Sequence, residues 1–269
     1  MALKKLNINS IMKFIDLHTH VAYNLDDGLK TKEETLNAFI QANKQGYESI
    51  VMTPHINMNS SKEYYQVIKD RYNELKEEAL EYGLGLYLGS EIKLDDGTLD
   101  LFNQSFIYTI NESRYILIEC DCTLPYHYIF DKLEDYLNVF LNKGYRPVIA
   151  HIERYFKDDI DLDYIEYLIQ KGCLIQMNTN SLLDKKNYKK VQSLLDHHLV
   201  HLVCSDAHSL YNHRTLNMSE AYHVLKNKRY DNQYIEDIMY NHAYMIIHNK
   251  DIEIKKYKKR NILCKVLNV

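Results

Sequence analysis

The stretch Phe14-Ile15-Asp16-Leu17-His18-Thr19-His20 is a short apolar run that ends in two histidines at i and i+2. On a β-strand those two positions point to the same side. Two imidazoles at the end of such a strand are well placed to share a metal ion. A second run of this kind lies far downstream, Leu202-Val203-Cys204-Ser205-Asp206-Ala207-His208, where Asp206 and His208 repeat the spacing. Most of the chain between them reads as scaffold that brings the two ends together.

The 269 residues are enough for one large α/β domain or two small ones, and 46% hydrophobic with 26% charged residues is ordinary for a globular protein. A net charge of -4 gives no reason to expect attraction to nucleic acid. There is no run of ~20 apolar residues to span a membrane. Met1–Ser10 carries two lysines but no long apolar core, so it does not read as a signal peptide. A cytoplasmic location is therefore expected. The five cysteines are odd in number and irregularly spaced, which argues against a disulfide framework. Cys120 and Cys122 read either as metal ligands or as small residues at a strand end.

Working outward from the first run, Asn24-Leu25-Asp26-Asp27-Gly28 is a turn, with Gly28 free to take positive φ. Thr31 and Glu34 form a capping box for a helix that runs to about Gln45, and Gly46 ends it. Further apolar strand candidates fall at Ser49–Thr53, Gly85–Leu88, Tyr115–Ile118, Pro147–Ala150, Cys173–Met177 and Leu199–Cys204, which makes seven in all. Helical stretches lie between most of them, at Tyr64–Tyr82, Ile129–Asn142, Leu162–Gln170 and Asn187–His197. Two more follow at Met218–Lys226 and Asn232–Asn241. Strand–helix alternation with nearly continuous apolar strands predicts a parallel sheet buried on both faces. Seven repeats without a Gly-rich phosphate loop fit a closed or nearly closed barrel better than an open nucleotide-binding sheet. The expected organisation is an N-terminal extension at 1–13, one barrel at 14–250 and a basic tail at 251–269. The tail contains Lys255-Lys256-Tyr257-Lys258-Lys259-Arg260, a run that reads as a solvated face.

Metal-ligand residue types fall at or just past the C-terminal ends of six of the seven strand candidates. They are His18 and His20, His55, Glu91, Glu119, His151, and Asp206 with His208. That end of an α/β barrel is where active sites are built. Asp27 in the turn adds a further candidate, for nine in all. Imidazoles mixed with carboxylates suit Mn²⁺, Fe²⁺ or Zn²⁺. Nine ligands exceed the needs of one ion, so two or three ions sharing a carboxylate are expected, the arrangement used in phosphoester hydrolysis. Arg154, three residues past His151, and Arg214, six past His208, read as phosphate clamps.

Asp16-Leu17-His18-Thr19-His20, Asn24-Leu25-Asp26-Asp27-Gly28, Thr53-Pro54-His55, Gly89-Ser90-Glu91, His151-Ile152-Glu153-Arg154-Tyr155 and Ser205-Asp206-Ala207-His208 together resemble the polymerase-and-histidinol-phosphatase (PHP) superfamily. More closely, they resemble its bacterial manganese-dependent tyrosine phosphatases from capsule and exopolysaccharide gene clusters. The resemblance implies a distorted seven-stranded, TIM-like α/β barrel. It implies three metal sets: His18, His20, Glu91 and Asp206; Glu91, Glu119 and His151; Asp27, His55 and His208. Catalytic roles are implied for Arg154, Arg214, Asp206 and His208. In the family an Arg-Pro follows the Asp-Ala-His motif, whereas here Thr215 follows Arg214. The implied substrate is phosphotyrosine on the tail of a bacterial tyrosine autokinase that controls polysaccharide assembly, hydrolysed by attack of metal-bound hydroxide. The alternative within the superfamily is a phosphatase of a small monoester such as histidinol phosphate; a non-catalytic scaffold is the third reading. A cysteine-dependent phosphatase needs Cys, five residues, then Arg, and none of the five cysteines has an Arg six positions on.

Overall fold

A computed structural model describes residues 12–124, 126–157 and 159–254. Most of the expected extension at 1–13 and of the expected tail at 251–269, with its basic run, lies outside the described residues.

Nine strands are described: β1 (Phe14–Thr19), β2 (Tyr47–Met52), β3 (His55–Ile56), β4 (Gly85–Leu88), β5 (Glu91–Lys93), β6 (Tyr115–Glu119), β7 (Arg146–Ile149), β8 (Leu174–Asn178) and β9 (Leu202–Cys204). Every pairing between them is parallel, in one sheet of order β1-β2-β4 and another of order β3-β5-β6-β7-β8-β9. Seven strands were expected, and the two extra ones come from breaks. Pro54, which has no N–H to give a ladder, separates β2 from β3. Gly89 and Ser90 separate β4 from β5. The broken strands still run side by side, since Gly89 N donates to Met52 O at 2.9 Å and Glu91 N to Pro54 O at 3.1 Å. At the far edge, Asp206 N donates to His18 O and His20 N to Ala207 O, at 2.9 and 2.8 Å. The end of β1 is thereby tied to the segment that follows β9.

The helices follow the local signals. The first spans Lys32–Gln45, with both halves of the Thr31–Glu34 capping box formed and Gly46 left-handed at φ 90°. Leu162–Gln170 begins and ends where the sequence predicts. The expected helix at Asn232–Asn241 is instead an α-helix at Asn232–Glu236 followed by a wider π-turn at Asp237–Asn241.

β1, β7, β8 and β9 are almost wholly buried, as strands covered on both faces must be. Two apolar clusters occupy those faces. Ile116, Ile118, Ile149, Ile175 and Val203 pack with the helices, while Leu117, Val148, Leu174 and Leu202 pack together on the other side. Ile15 and Leu17 belong to that second cluster. His18 has the opposite parity, yet it meets Gln176 of β8 and Asp206 just past β9. The register shift between Asp16 and Thr19 makes this geometry available, because a bulge re-aims the residue that follows it.

Candidate metal centre

The structure brings all nine sequence-predicted side chains to one end of the parallel strands. Ligand atoms of His18, His20, Glu91 and Asp206 lie within 4.8 Å of one another. So do those of His20, Asp27, His55 and His208, and those of His55, Glu91 and Glu119. His151 joins through its Nε2, 2.9 Å from Glu91 Oε1 and 3.6 Å from Glu119 Oε2. Glu91 is the hub, fully buried and touching four imidazoles. The groupings differ from the expected sets in two details. His55, in place of His151, stands with Glu91 and Glu119, and His20 is shared between two groups.

The donor chemistry fits a cation. His20 Nδ1 gives its proton to Asp26 Oδ2 at 2.7 Å, which turns Nε2 inward. That Nε2 faces His18 Nε2 at 3.3 Å, with Glu91 Oε2 3.1–3.2 Å from both. Two imidazole nitrogens and a carboxylate oxygen converging in a dry site repel unless a positive charge lies among them. Glu91 Oε2, His55 Nδ1 and His208 Nε2 are buried without a hydrogen bond, the first two 3.2 Å apart and the third 3.2 Å from Asp27 Oδ1.

Proton affinities carry the same imprint. Burial pushes His20 down, but the Asp26 charge and hydrogen bond outweigh it and raise it to about 9. His55 rises to about 11 and His151 to about 10, each against burial, through Asp27 and Glu119 for the first and Glu119 and Glu91 for the second. Glu91 is held well below the usual carboxylate range, its burial overcome by His18 and the other imidazoles around it. His208 alone goes the other way, to about 4, through burial and the neighbouring His20. Titratable groups shifted this far by specific charge partners in one buried cluster mark a candidate functional site.

Both arginines converge on Asp206. Arg214 Nη2 is 2.6 Å from Oδ1, and Arg154 Nη1 is 3.6 Å from Oδ2. Each guanidinium remains partly exposed, at 30% and 40%, and keeps further N–H groups for an anion. His151 and Asp206 sit in left-handed backbone at φ 32° and 53°. That conformation is costly for residues with a side chain and recurs where geometry serves function.

The chain was compared with known proteins. The family model for capsular polysaccharide synthesis proteins CpsB/CapC matches residues 14–248. The chain belongs to the CpsB/CapC family. CapC of Staphylococcus aureus is 32% identical over 257 residues, covering 91% of this chain and 97% of that protein. The tyrosine-protein phosphatase CpsB of Streptococcus pneumoniae is 31% identical over 224 residues, covering 80% and 90%. A crystal structure from the work on Bacillus subtilis YwqE and S. pneumoniae CpsB, described as metal-dependent tyrosine phosphatases, superposes with a TM-score of 0.77 at 24% identity over 91% of this chain and 98% of that one.

Within this CpsB/CapC member, sequence reasoning missed Asp26. It chose Asp27 from the Asp-Asp pair, yet Asp26 orients His20, accepts from His55 N at 3.1 Å and from Gly28 N at 2.9 Å, and is held near pKa 2 by His20 against its burial. The doublet was the signal: both acids reach the cluster, Asp26 through His20 and Asp27 through His55 and His208. The expectation for Gly28 is corrected as well. It does not use positive φ. A Cβ there would lie 2.1 Å from the His20 carbonyl oxygen, so close approach is what demands glycine. Cys120 is buried with its thiol pushed up by that burial, Cys122 is exposed, and neither joins a metal-type group among the described residues.

Proposed function

We propose that the chain is a metal-dependent protein-tyrosine phosphatase acting in bacterial capsule or exopolysaccharide synthesis, with the tail of a tyrosine autokinase as substrate. The observation that carries this is the meeting of nine imidazole and carboxylate ligands with two arginines at one strand end. Membership of the CpsB/CapC family, with relatives named tyrosine-protein phosphatases, supports the activity and the capsule context. No helix among the described residues is long and apolar enough to cross a membrane, and a cytoplasmic location is part of the proposal.

In this reading the two sheets are halves of one distorted seven-stranded barrel. β2 with β3 and β4 with β5 are each one broken strand, and the Thr19–Ala207 bridge joins the edges. His18, His20, Glu91 and Asp206 hold one divalent ion, Glu91, Glu119 and His151 a second, and Asp27, His55 and His208 a third. Mn²⁺ is the proposed metal, with Fe²⁺ or Zn²⁺ accepted by the same ligands. Bound ions would supply Lewis-acid charge to the phosphoryl group and acidify water. Arg154 and Arg214 hold the free phosphate oxygens and stay oriented through Asp206. Asp26 fixes the ring of His20. A phenol leaves readily at pKa ~10, so no strong general acid is required.

The test is phosphate release from a phosphotyrosyl peptide and from histidinol phosphate, with Mn²⁺ or with chelator. Chelator-sensitive release from the peptide that collapses in His151→Ala supports the reading. Release from histidinol phosphate alone refutes the protein substrate.

A further inference from the structure

With β2–β3 and β4–β5 each counted as one broken strand, β8 is the one strand that offers no proposed metal ligand, yet its Gln176 and Asn178 contact three of them. The hydrogen bonds around these two amides run in a single direction. His151 N–H donates to Gln176 Oε1 at 2.7 Å. A backbone N–H only donates, so that atom is the carbonyl oxygen and the Gln176 amide is fixed. Its Nε2 then donates to Asn178 Oδ1 at 2.8 Å. Asn178 in turn presents Nδ2 to Asp206 Oδ2 at 2.8 Å. A carboxylate accepts, so the chain is fixed from both ends. Gln176 Oε1 is also 3.1 Å from His18 Nδ1. A carbonyl oxygen cannot donate, so His18 carries its hydrogen on Nδ1, and its Nε2 faces Glu91 and Asp206 at 3.1 and 3.3 Å. Asn178 is itself anchored, its N–H reaching the buried Glu153 at 3.0 Å.

We propose that Gln176 and Asn178 are positioning residues that set the ring of His18, the backbone of His151 and the carboxylate of Asp206 for metal binding. A carboxylate at either position would accept where the chain needs a donor, and it would add charge beside the existing acids. An amide supplies a donor and an acceptor at no net charge. Gln176 is fully buried and Asn178 nearly so, which keeps water from replacing either contact. Partners that orient ligands in this way typically carry about 10–100-fold in metal affinity.

This inference rests on the metal reading of the site, and calorimetric titration with Mn²⁺ separates the two. No binding to the unaltered, metal-stripped protein overturns both. Binding there, weakened about 10–100-fold in Gln176→Met and in Asn178→Ala with far-ultraviolet circular dichroism unchanged, supports the role of the amides. Equal affinity in all three proteins overturns that role and leaves the metal site standing. Should Gln176→Met fail to fold, Asn178→Ala decides together with histidine ¹⁵N resonances of the unaltered protein loaded with Zn²⁺. A slowly exchanging hydrogen on His18 Nδ1 supports the proposal, and zinc bound through that nitrogen overturns it.

Discussion

His20 and His151 lie past the C-terminal ends of β1 and β7, while His201 immediately precedes β9 at the opposite end of the parallel strands. All three are buried, at 2%, 1% and 3% exposure. Burial lowers the proton affinity of each. At His201 nothing opposes it, and His242 and Arg146 add to it, so the ring is driven down to about 3. At His20 and His151 the surrounding carboxylates reverse it, to about 9 and 10. The same side chain at the same depth is held neutral at one end and faces acids at the other, where it is proposed to hold a cation. What distinguishes a site histidine is therefore the acids that face it, not its burial.

Glu91→Gln would break this comparison most severely, because Glu91 faces four of the imidazoles. Losing metal stabilisation worth several kcal/mol should lower peptide dephosphorylation on the order of 10³-fold, read as kcat/KM at fixed Mn²⁺. Activity within a few-fold of the unaltered protein would show that the hub is not needed. Arg154→Ala removes one charge-assisted contact to phosphate and should cost roughly 10–100-fold, with Arg154→Lys recovering part of it. An unchanged rate would leave Arg154 as a surface residue.

Metal titration across pH sharpens the contrast. Without metal, His20, His55 and His151 hold protons at neutral pH, with values of about 9, 11 and 10. Metal must displace those protons, so affinity should weaken as pH falls, and calorimetry in buffers of different ionisation enthalpy should register proton release. Binding without release would contradict the raised values. The smallest effect is expected from His201→Gln, which should leave peptide dephosphorylation unchanged. The folded-state value of His201 is depressed from 6.5 to about 3. The unfolded chain therefore takes up a proton below about 6.5 that the folded chain refuses, and stability falls by roughly 1.4 kcal/mol per pH unit until about 3. The variant, compared with the unaltered protein in chelator, should lose that acid sensitivity. An identical pH slope would mean that His201 is not held neutral.

Local patterns in the sequence carried the strand order, most of the helices, the capping box at Thr31, eight ligand types at strand ends and a ninth in the Asp26-Asp27 turn. These depend on neighbours a few residues away: an i, i+2 spacing sets a direction on a strand, and a cap closes within one helical turn. The breaks at Pro54 and at Gly89-Ser90, the inward role of Asp26 and the space that Gly28 leaves for His20 were decided only when the elements packed. The same holds for β8. Its Gln176 meets a histidine 158 positions away, and no local period encodes such a contact. Residue types sufficed for the chemistry available to the site. Which nitrogen each imidazole turns inward depended on buried hydrogen-bond partners that only tertiary packing supplies.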